Sequence, residues 1–135
     1  MKSKTPLMLI ALCLITVFSV VAKENPATSG KAPKASITSL EHNFGTVKTG
    51  TPLSFTFKVK NTGDADLEIK NVAPSCGCTS SQFDKLIQTG KEGGITLEVK
   101  NTEGYKGEVV KNATVTTNDP NQPTFTLVLR ATFTE

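Results

Sequence analysis

Cys76-Gly77-Cys78 is the one place in this chain where neighbouring side chains could do chemistry. Two thiols this close are bonded to each other, share a metal ion, or sit idle in a turn, and the residues leave these alternatives open. A bridge between positions i and i+2 is reachable at the Cα separation a disulfide accepts, although the small ring constrains it. Gly77 suits a tight turn that needs a positive φ. The same pair could instead undergo thiol exchange. Paired thiolates also suit copper(I), which few ligands can hold. Zinc fits less well, because a structural zinc site wants four ligands and there is no second cysteine pair. His42, the only histidine, is the candidate third ligand for a metal site with Cys76 and Cys78.

Other catalytic arrangements find little support. A Ser-His-acid or Cys-His triad would have to use His42, and no recognisable motif places an acid beside it. Asp64, Asp66 and Glu68 cluster without calcium-loop spacing, and read as a turn and a wet strand face. No phosphate-cradling glycine loop is present. The expectation is a protein that is not an enzyme and carries no cofactor.

The elements around the cysteines are strands. In Leu53–Lys60, Leu53, Phe55, Phe57 and Val59 alternate with Ser54, Thr56, Lys58 and Lys60. Successive side chains of a strand point to opposite faces, so this segment has one buried and one wet face. Ile95–Lys100 and Phe125–Phe133 repeat the pattern. Weaker strands are expected at Ile37–Leu40, Leu67–Val72, Thr79–Phe83 and Val109–Thr117. In the last of these the alternation stumbles at Lys111, where a bulge would restore the register. Turn residues at 61–64, 89–94 and 118–123 separate these runs. Seven short strands in about 100 residues imply an all-β, immunoglobulin-like antiparallel β-sandwich spanning 36–135. Phe55, Phe57, Leu97, Val99, Phe125, Leu127 and Leu129 are its expected core. There is no tryptophan, and the adjacent cysteines cannot tie one sheet to the other.

Ahead of this domain, Lys2 and Lys4 precede an apolar run over 7–21, and Val20-Val21-Ala22 fits a cleavage site. Residues 1–22 therefore read as a signal peptide, and 23–35 as a flexible linker. The expected address is outside the cytoplasm, in a periplasm or at a cell surface, with no membrane insertion once the signal is removed. Thiols tend to pair in such oxidising compartments. Fifteen basic against 12 acidic residues give a formal charge of +3, and loss of Lys2 and Lys4 leaves 13 against 12, or +1. That balance gives no reason to expect nucleic acid. The expected partner is a protein or a component of the cell envelope.

Five segments occur in one order: Phe44-Gly45-Thr46-Val47, Lys60-Asn61-Thr62-Gly63, Leu67-Glu68-Ile69, Ser75-Cys76-Gly77-Cys78-Thr79 and Thr117-Asn118-Asp119-Pro120. In this the chain resembles the bacterial domain-of-unknown-function family 1573, from about Ile37 to Phe133, with Cys-Gly-Cys-Thr the most specific element. The family often has a Pro-Gly turn before its fifth strand, where this chain has Thr89-Gly90. The resemblance implies an exported sandwich similar to the Hydin-type and major-sperm-protein-like interaction modules, and it brings no activity with it. The expected function is an exported binding or scaffold module. The alternative is a thiol redox or copper(I)-handling protein acting through Cys76 and Cys78.

Overall fold

The structure, a computed structural model, describes residues 30–135. The expected signal peptide and most of the expected linker lie outside the described residues. Nine strands follow: β1 (Ala35–Ile37), β2 (Glu41–Lys48), β3 (Leu53–Asn61), β4 (Leu67–Pro74), β5 (Thr79–Phe83), β6 (Leu86–Ile87), β7 (Glu92–Val99), β8 (Gly107–Thr117) and β9 (Thr124–Thr134). They form two sheets, ordered β1-β3-β7-β5 and β2-β9-β8-β4-β6. The fold is the expected all-β sandwich. Two strands exceed the expected seven, β6 and the second half of a split first strand. That split places β1 in one sheet and β2 in the other, and β2 runs parallel to β9 in an otherwise antiparallel architecture.

Alternation builds the core. Phe57 and Val59 of β3, Ile95, Leu97 and Val99 of β7, and Leu127 and Leu129 of β9 are all buried between the sheets. Burying one such side chain contributes about 1.5–3 kcal/mol. Phe55, expected in the core, is only half-buried, because β1 ends before reaching it and leaves this stretch of β3 at a sheet edge.

The bulges fall where apolar residues are an odd number of positions apart. Ile69 and Val72 both face inward, three residues apart, and the β4–β8 register shifts between Ile69 and Asn71. Phe44 and Val47 repeat this in β2, where the register against β9 shifts between Asn43 and Thr46. An extra residue restores the inward phase in each case. The bulge expected at Lys111 is absent, and β8 pairs with β9 without interruption from Gly107 to Thr116. Lys111 keeps the inward phase because its stem lies along the protein and its ammonium sits 4.8 Å from the centroid of the Tyr105 ring.

Two buried polar side chains close one end of the sandwich. Asn61 Oδ1 accepts the N–H groups of Lys34 (3.3 Å) and Gly63 (3.0 Å), and its Nδ2 donates to the carbonyls of Ala65 (2.7 Å) and Ile87 (2.9 Å). Asp119 Oδ2 accepts the N–H of Ala35 at 2.8 Å, and its Oδ1 accepts those of Asn121 (2.8 Å) and Gln122 (3.2 Å). The domain therefore begins earlier than the expected boundary at Ser36. The segment from Ala32 to Ala35 is held by Asn61, Thr62, Asp64 and Asp119. A Cβ on Gly63 would lie 2.3 Å from the Ala32 carbonyl oxygen, so the turn after Asn61 requires glycine for this approach.

Asn61→Ala strands the buried Ile87 carbonyl and the part-buried Ala65 carbonyl and Lys34 and Gly63 N–H groups. Urea unfolding is expected to show a loss of about 3 kcal/mol or more, against less than about 0.5 kcal/mol for the exposed Lys70→Ala. Equal midpoints for the two variants would refute this role for Asn61.

Candidate functional site

The cysteine turn lies at the other end. β4 ends at Pro74 in the five-stranded sheet, and β5 starts at Thr79 in the four-stranded one. Residues 75–78 carry the chain from one sheet to the other. The Ser75 N–H donates to the Asn112 carbonyl (2.8 Å), and the Thr79 N–H closes the turn on the Cys76 carbonyl (3.1 Å). Cys76 and Cys78 are bonded to each other, with their Cα atoms 5.3 Å apart. Both are half-buried, and Gly77 between them is exposed.

Gly77 does not have the expected positive φ, and a Cβ there would meet nothing within 4 Å. Neither backbone angle nor crowding requires glycine at this position.

Each sulfur has a hydrogen-bond donor aimed at it. The Cys78 N–H donates to Cys76 Sγ at 3.3 Å. The Tyr105 hydroxyl lies 3.3 Å from Cys78 Sγ, and because a bonded sulfur carries no hydrogen, the phenol is the donor. Tyr105 comes from the loop between β7 and β8, and packs edge-on against Phe133 with centroids 5.3 Å apart. That loop is pinned from below. Its buried Thr102 donates through Oγ1 to the Thr51 carbonyl (2.8 Å), and Thr49 Oγ1 donates to the Tyr105 carbonyl (2.8 Å). Tyr105 is the chain's only tyrosine, but a single aromatic in a polar loop gives no periodic signal, and only the topology places it beside a cysteine 27 positions away.

His42 does not join this site. It lies within β2, its ring stacked on Phe55 with centroids 3.6 Å apart and edge-on to Phe44 at 4.6 Å. Among the described residues no three or more His, Cys, Asp or Glu side chains form a set that could hold a metal. The three-residue site of Cys76, Cys78 and His42 is therefore not assembled. Bonded sulfurs are also not the thiolates that copper(I) prefers. Asp64, Asp66 and Glu68 are exposed, as a turn and wet strand face should be.

With this geometry in place, the chain can be compared with known proteins. The sequence matches the family described as "Protein of unknown function (DUF1573)" over residues 35–133. The chain belongs to this family. No curated protein matches it. Among solved structures, the DUF1573 domain is similar to a protein of unknown function from Porphyromonas gingivalis W83, with a TM-score of 0.62 and 17% identity over 76% of this chain and 46% of that one. It thus spans about half the length of that protein. It is similar to the PapD-like domain 7 of human CEP192, at 0.57 and 13% identity over 77% of this chain and 87% of that one. It also resembles the YadV chaperone, at 0.53 and 14% over 75% and 52%. At these identities the likeness shows the fold alone. The shared segments have distinct physical roles in this DUF1573 domain. Gly45 and Thr46 lie in the β2 bulge, Asn61 and Asp119 close one end, and the Cys-Gly-Cys-Thr turn crosses the sheets at the other.

Thr79, the last residue of that turn, has a buried hydroxyl with no hydrogen-bond partner among the described residues. An unpaired buried hydroxyl costs about 1–3 kcal/mol, so the near-isosteric Thr79→Val is expected to stabilise the domain by about 1 kcal/mol in urea unfolding. A destabilised variant would show that the hydroxyl has a partner in solution.

Proposed function

We propose that this DUF1573 chain is an exported, non-enzymatic protein-binding module that takes an extended segment of its partner as an added strand on the open edge of β3. The carrying observation is that edge. β1 covers β3 only from Val59 to Asn61, while β7 covers the other side from Leu53 to Lys60. In an antiparallel ladder, alternate residues address opposite neighbours. Asn61 bonds Lys91 next to β7, and Thr62 bonds Lys34 next to β1. The main-chain groups of Ser54 and Thr56 therefore point to the side without a strand.

Beside them lies a shallow apolar depression of about 320 Å3 lined by Thr38, Ser39, Phe55 and Phe57. Strand addition takes affinity from the main chain and specificity from pockets for alternate side chains. The matching partner segment has apolar residues in every second position. Acidic or neutral polar residues between them would meet Lys58 and Lys60, which point outward from β3. The non-enzymatic reading is supported by His42, whose ring is engaged in aromatic stacking. The exported address rests on the N-terminal sequence pattern.

Thr56→Pro tests the edge. Its N–H faces the open side, so proline removes no main-chain bond to β7, only the exposed side-chain bond to Thr96 Oγ1 (2.7 Å), and the fold is expected to survive. Peptides with this alternation, selected from a display library, should lose at least about tenfold in affinity for the variant. They should also protect the Ser54 and Thr56 amides of the unmodified chain from hydrogen exchange. Unchanged affinity for Thr56→Pro, or protection on a different edge, would overturn the proposal.

A further inference from the structure

We propose that the Cys76–Cys78 bridge is a thiol–disulfide exchange site whose leaving sulfur is Cys78, with the Tyr105 hydroxyl stabilising the thiolate as it forms. This goes beyond strand binding and rests on separate observations. The bridge closes a loop of only three residues and does not join distant parts of the fold. A loop this short gives little entropic stabilisation. Nor does the bridge connect the two sheets where they need joining. Asn61, Asp119 and the apolar core hold the sandwich elsewhere. Opening the bridge therefore leaves the fold in place.

The surroundings suit exchange. Both cysteines are half-buried, so neither is sealed in the core, and Gly77 places no side chain over the approach. The donors described above act most strongly on ionised sulfur, because hydrogen bonds to charged acceptors are about twice as strong as those to neutral ones. On Cys78 the donor is the phenol, held by Phe133 and by the Thr49 and Thr102 contacts. The Lys111 ammonium, 4.8 Å from the centroid of the same ring, draws electron density from the phenol and makes it a stronger donor to the sulfur where negative charge develops. On Cys76 the donor is the Cys78 N–H. A sulfur whose thiolate is stabilised leaves faster, so attack falls on Cys76 and departure on Cys78.

The electron balance follows with a dithiol protein or small molecule as reductant. One thiolate of the dithiol attacks Cys76 Sγ. The new S–S bond forms as the Cys76–Cys78 bond breaks, and the electron pair goes to Cys78 Sγ under the Tyr105 hydroxyl. The second thiol of the reductant, deprotonated by solvent, then attacks its own sulfur in the mixed disulfide and releases Cys76 as a thiolate. The reductant ends as a disulfide, two electrons have passed to the bridge, and the cysteines take up protons from solvent. The reverse sequence oxidises the pair with a disulfide-bearing partner.

The test uses dithiothreitol as the probe, with samples quenched by alkylation and the redox state read by mass on the tryptic peptide from Asn71 to Lys85. The expected result is reduction while the circular dichroism of the folded chain is unchanged. Tyr105→Phe keeps the ring against Phe133 and removes the hydroxyl. It should slow reduction by about tenfold, and shift the equilibrium in a glutathione buffer toward the bridged form by a similar factor. Lys111→Met, which leaves the phenol in place, should slow reduction by about threefold. Gly77→Val should slow it by covering the approach, without moving the equilibrium. Equal rates and equilibria for the unmodified chain, Tyr105→Phe and Lys111→Met would overturn the proposal. So would reduction that occurs only when the domain unfolds.

Discussion

The structure depends on how the sandwich satisfies its main chain where the ladders stop. At one end this is done by two buried side chains, Asn61 with four hydrogen bonds and Asp119 with three accepted N–H groups. Buried polar groups without such partners would each cost a large part of a small domain's net stability. Because these bonds reach Lys34, Ala35, Ala65 and Ile87, they fix the entry of β1, the turn after β3 and the position of β6 together. The opposite end is held through Thr49, Thr102 and Tyr105, and the cysteine bridge lies there. One end holds the fold in register while the other carries the half-buried Cys76–Cys78 bridge.

Much of the fold was legible because period-two alternation reports which face of a strand is buried. The strands holding Phe57, Leu97 and Leu127 carry that signal cleanly, and all three residues are buried. The signal fails where a bulge changes its phase. His42, Phe44 and Val47 do not share one parity, which hid β2 and its parallel pairing with β9. Lys111 misled in the opposite direction. A charged residue at an inward position looked like a broken strand, whereas its stem and the Tyr105 ring accommodate it without a bulge. Phe55 read as core because periodicity cannot tell that a neighbouring strand stops short.

The site was legible in part. Adjacent cysteines are visible to any reader of the chain, and their proximity follows from sequence separation alone. What acts on them is not local. Tyr105 reaches the turn through the β7–β8 connection, Lys111 meets the Tyr105 ring from the inward face of β8, and no linear motif encodes that meeting. The sequence offers His42 as a third ligand for the cysteine pair, whereas its position on β2 commits it to Phe55. The four-stranded sheet connects the two surfaces of interest. Thr79, beside the bridge, pairs with Val99, which pairs with Leu53 at the start of the open β3 edge, so a single row of main-chain pairing spans the sheet between them.

Exchange at Cys76–Cys78, as proposed, requires the sulfur-bearing end to change state while the fold stays fixed. For a three-residue loop, chain entropy assigns the bridge roughly 1.6 kcal/mol. The most direct measurement is amide hydrogen exchange on the folded chain with the bridge closed and after reduction and alkylation. Protection is expected to be lost only around Ser75–Ser80 and in the Asn101–Lys106 loop, with β3, β7 and β9 unchanged. Loss of protection throughout β3, β7 and β9 on opening the bridge would contradict it.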